Sequence, residues 1–330
     1  VPSVWSLIAT AGLATAPSPA YEVPTVFEAG HFFATPETES GEHLKLLVDT
    51  GGGGVDGLYL LRQAVAARLK LKAGHCVFDG GDVPTATLPT YKQARGIPGP
   101  TSRCSGAMTY DDAHPISSAD GLLGSSYLDG RIWTFDYPSK KLILQSEDWT
   151  PTQDLHAFTL GFQKDANGGK LRAFPRVEIR VDGQLLDMLL DTGATAAPSE
   201  SGQRVTGTPT VNGFGVTSYI TRSQLERWHS AHPEWRWVEN GDKLFPRSGS
   251  RMIEVPLVEI AGWSVGPVWF TERPDTNFHE MMASIMDKPP EGAVGGNVLH
   301  QFVMTIDYPG GMAYFGCSLD CRVIPSASIH

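Results

Sequence analysis

Two aspartates stand in the same tripeptide in two places, Asp49-Thr50-Gly51 and Asp191-Thr192-Gly193. Each tripeptide ends an apolar run, Leu46-Leu47-Val48 before the first and Met188-Leu189-Leu190 before the second. A pair of carboxylates held a few ångströms apart cannot ionise together cheaply, so the pair keeps one proton across a broad acidic range. One member then acts as a base on a water and the other as an acid on the atom that water attacks. Such chemistry hydrolyses a bond with side chains alone and calls for no cofactor and no metal. It requires that the two copies meet in space, and that glycine lets the backbone come close.

The repetition extends beyond the tripeptides. Asp120-Gly121-Leu122-Leu123-Gly124 leads to Asp136-Tyr137-Pro138, and Glu291-Gly292-Ala293-Val294-Gly295 leads, at the same spacing, to Asp307-Tyr308-Pro309. Leu128 aligns with Leu299 and Thr134 with Thr305, and each segment closes in a turn and an apolar run, Leu142-Ile143-Leu144 and Ala313-Tyr314-Phe315. One unit is therefore written twice.

The elements that must carry the aspartates are strands. Alternation over Glu42 to Val48 and over Leu185 to Leu190 predicts two strands that deliver Asp49 and Asp191 to their ends, the second preceded by an Asp182-Gly183 hairpin turn. Helical spacing of Leu61, Val65 and Leu69 predicts a helix over Leu60 to Lys70. A second helix is expected at Ser223 to Ser230, after an insertion rich in Gly, Pro and Thr from Ala197 to Ser218. The polar stretch Glu147 to Asp154, with Pro151 in it, reads as the linker between copies.

The chain has 330 residues, 41% of them hydrophobic and 19% charged, which is enough for two domains with a sizeable core. A net charge of −10 with no Lys/Arg cluster argues against nucleic acid or an anionic membrane surface as partner. Val1 to Ala20 is nearly uncharged and reads as the remnant of an export signal or as an N-terminal arm. Its apolar stretch is too short to span a membrane.

The four cysteines fall as Cys76 with Cys104 in the first half and Cys317 with Cys321 in the second, as two local disulfides would require, although spacing does not fix the pairing. An oxidising compartment, periplasmic or secreted, is expected. Other chemistries find little support. His229 and His232 lack a third metal ligand, and His279-Glu280-Met281-Met282-Ala283 lacks the second histidine of a zinc helix. Gly213-Phe214-Gly215 is not followed by the third glycine of a nucleotide loop. Turn initiation before proline accounts for Asp136 and Asp307.

From about Tyr21 to Gly316 these motifs resemble the aspartic peptidases, in particular single-chain bacterial proteins built of two retropepsin-like lobes. The resemblance implies a mostly β protein with two pseudo-symmetric lobes of the acid-protease fold and a cleft between them, residues 21–148 forming the first lobe and 149–330 the second. It implies that Asp49 and Asp191 are the catalytic pair of an endopeptidase active at acidic pH. Thr50 and Thr192 would grip each other across the lobes, and Gly51 and Gly193 would offer their N–H groups to the carboxylates. Leu122-Leu123-Gly124 and Ala293-Val294-Gly295 look like the segments that cross beneath the loops. A peptide would lie extended in the cleft of a monomer. Val83 to Tyr91 is the candidate for the covering hairpin, with Tyr91 its substrate-facing aromatic. The sequence departs from the family in the run Gly51-Gly52-Gly53-Gly54, which predicts a less constrained first loop; a peptide-binding scaffold without catalysis is the alternative.

Overall fold

In the computed structural model, described for residues 20–78, 81–111, 119–245 and 251–323, the chain is mostly β and forms two pseudo-symmetric lobes. Each lobe repeats one arrangement. The strand Leu46–Asp49 runs antiparallel to His31–Ala34 and parallel to Gly121–Gly124, with Asp49 opposite Gly124. In the second lobe Gln184–Leu190 runs antiparallel to Arg176–Val181 and parallel to Gly292–Val294, with Leu190 opposite Val294. The three residues before each aspartate, Leu46-Leu47-Val48 and Met188-Leu189-Leu190, are buried on both faces and so read as a continuous apolar run rather than an alternating pattern.

On the far side of each crossing strand lies another, Leu60–Arg62 and Ser218–Thr221, and each of these feeds directly into a helix, Gln63–Arg68 and Arg222–Ala231. The helix expected over Leu60 to Lys70 is therefore shorter than its apolar spacing suggests. Leu60 and Leu61 are taken by ladders to Met108 and Thr109 on one side and to Leu122 and Gly121 on the other, and the helix begins only where that pairing ends. The strand expected from Glu42 starts at Leu46, because the hydroxyl of Thr38 accepts the Glu42 N–H at 2.9 Å and holds a turn there.

The lobes are joined by a six-stranded sheet whose central pair is Ile132–Asp136 against Phe302–Asp307, antiparallel, one strand from each repeat. Thr134 lies opposite Thr305 and their hydroxyls are 2.7 Å apart, so residues equivalent in the sequence repeat touch at the pseudo-twofold axis. Around them Trp133, Phe135, Phe302 and Phe315 are fully buried. Truncating one of these rings to alanine costs ~3–5 kcal/mol, which makes the joining sheet a core element. Just beyond it the Asp136 carboxylate accepts the Ser139 N–H at 2.9 Å and the Asp307 carboxylate the Gly310 N–H at 2.8 Å, the turn role that the Asp-Tyr-Pro sequences imply.

The cysteines pair as Cys76–Cys104 and Cys317–Cys321. The first bridge ties the strand Ala73–Phe78 to the segment entering Ala107–Tyr110. Among the described residues no helix is long and apolar enough to cross a membrane. The expectation for Val1 to Ala20 falls, but for Ala20 itself, outside the described residues.

Candidate active site

The two aspartates, 142 positions apart, meet at the lobe boundary with their carboxyl groups in hydrogen-bonding contact. Each is served by its own loop: the Gly51 N–H donates to Asp49 Oδ1 at 2.9 Å and the Gly193 N–H to Asp191 Oδ1 at 3.0 Å. Each glycine also lies against the other lobe's acid. A Cβ at Gly51 would overlap the Asp191 carboxylate, and one at Gly193 would overlap that of Asp49. The tripeptide's third position thus has to be glycine for a reason set by the opposite lobe.

The threonines fix the spacing. The Thr50 N–H donates to Thr192 Oγ1 at 3.1 Å and the Thr192 N–H to Thr50 Oγ1 at 3.0 Å. Each hydroxyl then donates across the boundary, Thr50 to the Leu190 carbonyl at 2.5 Å and Thr192 to the Val48 carbonyl at 2.8 Å. Four hydrogen bonds, all buried, bind one loop to the other, and none can be replaced by water without opening the lobes.

Burial pushes the pKa of both acids up, and Asp191, the more enclosed at 8% exposure, rises well above the ordinary carboxyl value, with the Asp49 charge adding to the effect. The hydrogen bond between the carboxyls and the Gly51, Gly52 and Gly193 N–H groups work the other way on Asp49. The two carboxyls therefore share one proton and titrate as a pair.

Beneath the loops the apolar-apolar-Gly segments cross as the resemblance implies. Gly124 packs its Cα against the Gly53 carbonyl and Gly295 against that of Thr217, both too close for a side chain. The glycine run of the first loop is less free than expected. A Cβ on Gly52 would stand 2.7 Å from Asp49 Oδ2 and 2.9 Å from Leu122, and its carbonyl accepts the Ser125 N–H at 3.0 Å. Gly54 adopts φ +140°, a region closed to other residues.

The hairpin nearest this loop is formed by Ala73–Phe78 and Gly81–Ala86. Only the beginning of the expected Val83 to Tyr91 segment belongs to it, since its partner strand lies upstream and the chain leaves the sheet ahead of Pro89. Tyr91 is not on the hairpin. It bridges Thr38, and its hydroxyl lies 3.2 Å from that of Tyr59, where burial pushes it up to about 12. The aromatic at the hairpin end is Phe78, which with Gly54, Val55, Ser126, Ala173 and Phe174 lines a cleft between the lobes.

The second loop carries groups that sequence spacing did not single out. Thr195 is held by Tyr219, whose hydroxyl accepts its N–H at 2.8 Å and donates to its carbonyl at 2.5 Å. Arg273 stacks 4.2 Å from the Tyr219 ring and pairs with the buried Asp242 at 3.0 Å. His31 comes from the first lobe, buried, with Nε2 3.1 Å from Thr195 Oγ1. Only Thr195, two residues past the tripeptide, had a local signal; the rest arrive by long-range packing. The insertion from Ala197 folds back so that Val211 and Phe214 line a smaller pocket with His31, Phe33 and Leu47.

Several other candidates settle into structural roles. His229 stacks on Trp237 and His232 on Trp235, each at 4.1 Å, and His232 is bonded to Asp182 and Glu234. Trp228 and Trp269 are buried in the second lobe. Gly262-Trp263-Ser264-Val265-Gly266 fits the Gly-x-Ser-x-Gly pattern of serine hydrolases, yet it opens a β-hairpin strand rather than a strand-to-helix turn, and the Ser264 hydroxyl donates to the Arg322 carbonyl at 3.3 Å.

No protein-family model matches the chain, and no curated protein does. Among solved structures it is similar to basic 7S globulin from soybean, at 10% identity over 91% of this chain and 95% of that one, with a TM-score of 0.44. It is similar also to conglutin gamma, a basic 7S globulin from lupine seeds, at 11% identity over 92% and 96%, with a TM-score of 0.46.

Proposed function

We propose that the chain is an aspartic endopeptidase in which Asp49 and Asp191 activate one water. The observation that carries this reading is the contact between two buried carboxyls, each bonded by its own loop and backed by the other lobe's glycine. Asp49, ionised, takes a proton from the water as its oxygen attacks the peptide carbonyl carbon. Asp191, protonated, donates to the carbonyl oxygen to give a gem-diol; the proton gained by Asp49 then passes to the leaving nitrogen as the C–N bond breaks, and a gem-diol hydroxyl returns its proton to Asp191. The tetrahedral intermediate is met by groups already in place, so little reorganisation is needed.

The substrate is an extended peptide, lying against the Ala73–Ala86 hairpin and sending side chains into the clefts beside Phe78 and beside Phe214. One polypeptide supplies both acids, so a monomer suffices, as in the single-chain bacterial proteins that the sequence resembles. The two disulfides favour an exported protein, secreted or periplasmic. The second reading is a scaffold that holds peptides without cleaving them, which the same clefts would serve.

The test is a pH series on a denatured protein substrate with wild type, Asp49→Asn and Asp191→Asn. Cleavage below about pH 6 that falls by ~10³-fold or more in each variant is the expected result. Peptide binding without turnover at every pH would establish the scaffold.

A further inference from the structure

The two Asp loops are treated unequally by the lobe that faces them. Fourth after Asp191 stands Thr195, 3% exposed; fourth after Asp49 stands Gly53, exposed, with no neighbour within 4 Å of where its Cβ would be. The groups that reach across differ as well. Phe33 pairs with Leu47, two before Asp49, and Arg176 pairs with Leu189, two before Asp191. Counting back two places from each, His31 of the first lobe corresponds to Phe174 of the second. The first lobe thus presents an imidazole to a threonine, whereas the second presents a benzene ring and has no side chain to meet at Gly53.

The hydrogen-bond order follows from the hydroxyl's single proton. Thr195 Oγ1 donates to the Gly193 carbonyl at 2.8 Å, which leaves it only lone pairs for His31 Nε2 at 3.1 Å, so Nε2 carries the hydrogen and donates. Gly193 in turn donates its N–H to Asp191 Oδ1. The neutral ring suits this place: burial pulls His31 down to about 4, against hydrogen bonding to the Ala194 and Gly193 backbone. Its backbone is pinned too, because Gly30 ahead of it, at φ +88°, packs so tightly on Val216 of the second lobe that a Cβ there would overlap the valine.

We infer that His31 is a positioning residue for the opposite lobe's acid, its Nε2–H holding Thr195, and through Thr195 the Gly193 peptide, so that Asp191 keeps its place against Asp49. This rests on the peptidase reading for its effect on rate, but the mechanical part stands without it. The residue touches no reacting atom and acts through the loop.

The experiment compares His31→Leu, which keeps bulk and removes the donor, with His31→Gln, whose amide nitrogen is the same number of bonds from Cβ as Nε2. Thr195→Val and the His31→Leu/Thr195→Val double variant complete a cycle. With a peptide substrate at acid pH, His31→Leu should lower kcat ~10-fold with KM changed by less than ~2-fold, and His31→Gln should recover most of the loss. The double variant should be no worse than Thr195→Val alone. In parallel, hydrogen exchange of the Gly193 and Thr195 amides should speed up in the Leu variant and stay slow in the Gln variant. An unchanged kcat in His31→Leu, failure of Gln to rescue, additive losses in the cycle, or unaltered exchange would overturn the inference. Should the wild type cleave nothing at any pH, the peptidase reading falls, and the exchange measurement alone decides for or against the role of His31.

Discussion

The two Asp loops share their first three residues and part at the fourth, Gly52 in one and Ala194 in the other, and again at the fifth, Gly53 against Thr195. The first loop is fixed by the absence of side chains, which lets Gly52 lie on the Asp49 carboxylate and Gly53 lie over Gly124. The second is fixed by side chains, through Thr195 to Tyr219 and His31, with Arg273 and Asp242 behind them. Both routes bring a carboxyl to the same kind of position. A glycine run is therefore no sign of looseness by itself. What decides is whether a neighbouring backbone occupies the space the missing Cβ leaves.

The largest effect that separates shared from unshared features is expected at the shared glycines. Gly51→Ala and Gly193→Ala push a methyl group into the opposite carboxylate, and each should lower kcat ~10²-fold while circular dichroism shows the fold retained. A loss at only one of them would mean that the acids are not equivalent in the way the reciprocal packing implies.

Next come Thr50→Val and Thr192→Val. Each removes one hydroxyl that donates once and accepts once, leaving a buried N–H and a buried carbonyl without those partners. Each should cost ~2–3 kcal/mol in urea denaturation, and the double variant less than the sum, since the two belong to one network. Clearly unequal costs would break the symmetry here as well.

Stability against pH tests the unequal burial of the acids. Asp191 is raised well above its ordinary value of 3.8. A raised folded value contributes stability that is fully present below 3.8 and lost as pH climbs through the folded value. His31 acts in the opposite sense: lowered from 6.5 to about 4, it contributes stability present above 6.5 and lost as pH falls toward 4. Asp191→Asn should remove the first slope, making the variant more stable than wild type near pH 7 by a margin that shrinks on acidification at up to about 1.4 kcal/mol per pH unit. His31→Gln should flatten the second. A wild-type curve unchanged by Asp191→Asn would show that the carboxyl is not strained by its surroundings.

The smallest effect sharpens the contrast at the fifth position. Gly53→Ala meets open space and should change unfolding free energy by less than ~0.5 kcal/mol. Thr195→Val, buried and bonded to His31 and Gly193, should cost ~1–2 kcal/mol. Equal costs, measured in the same denaturant series, would dismiss the asymmetry.

The sequence by itself determined the repeat with its matching Gly124 and Gly295, the strands that end in Asp49 and Asp191, and the kind of chemistry two such acids support. These are local: a strand's apolar run, a turn's Asp-Gly and a motif written twice; that Thr134 and Thr305, aligned in the repeat, lie opposite each other came from the joining sheet. Local pattern could not say where the hairpin over the first loop starts, since the partner strand Ala73–Phe78 is half-exposed and carries Gly and Cys rather than a clean alternation. It set Tyr91 on that hairpin, whereas packing against Tyr59 decided otherwise. Only the tertiary structure decided that Gly193 must be bare because Asp49 lies over it, and that a histidine of one lobe holds a threonine of the other. The physical reason is that such contacts join residues more than a hundred positions apart. No periodicity encodes them, and the close approach of two independently folded sheets selects which side chains, and which missing ones, come to share the same few ångströms.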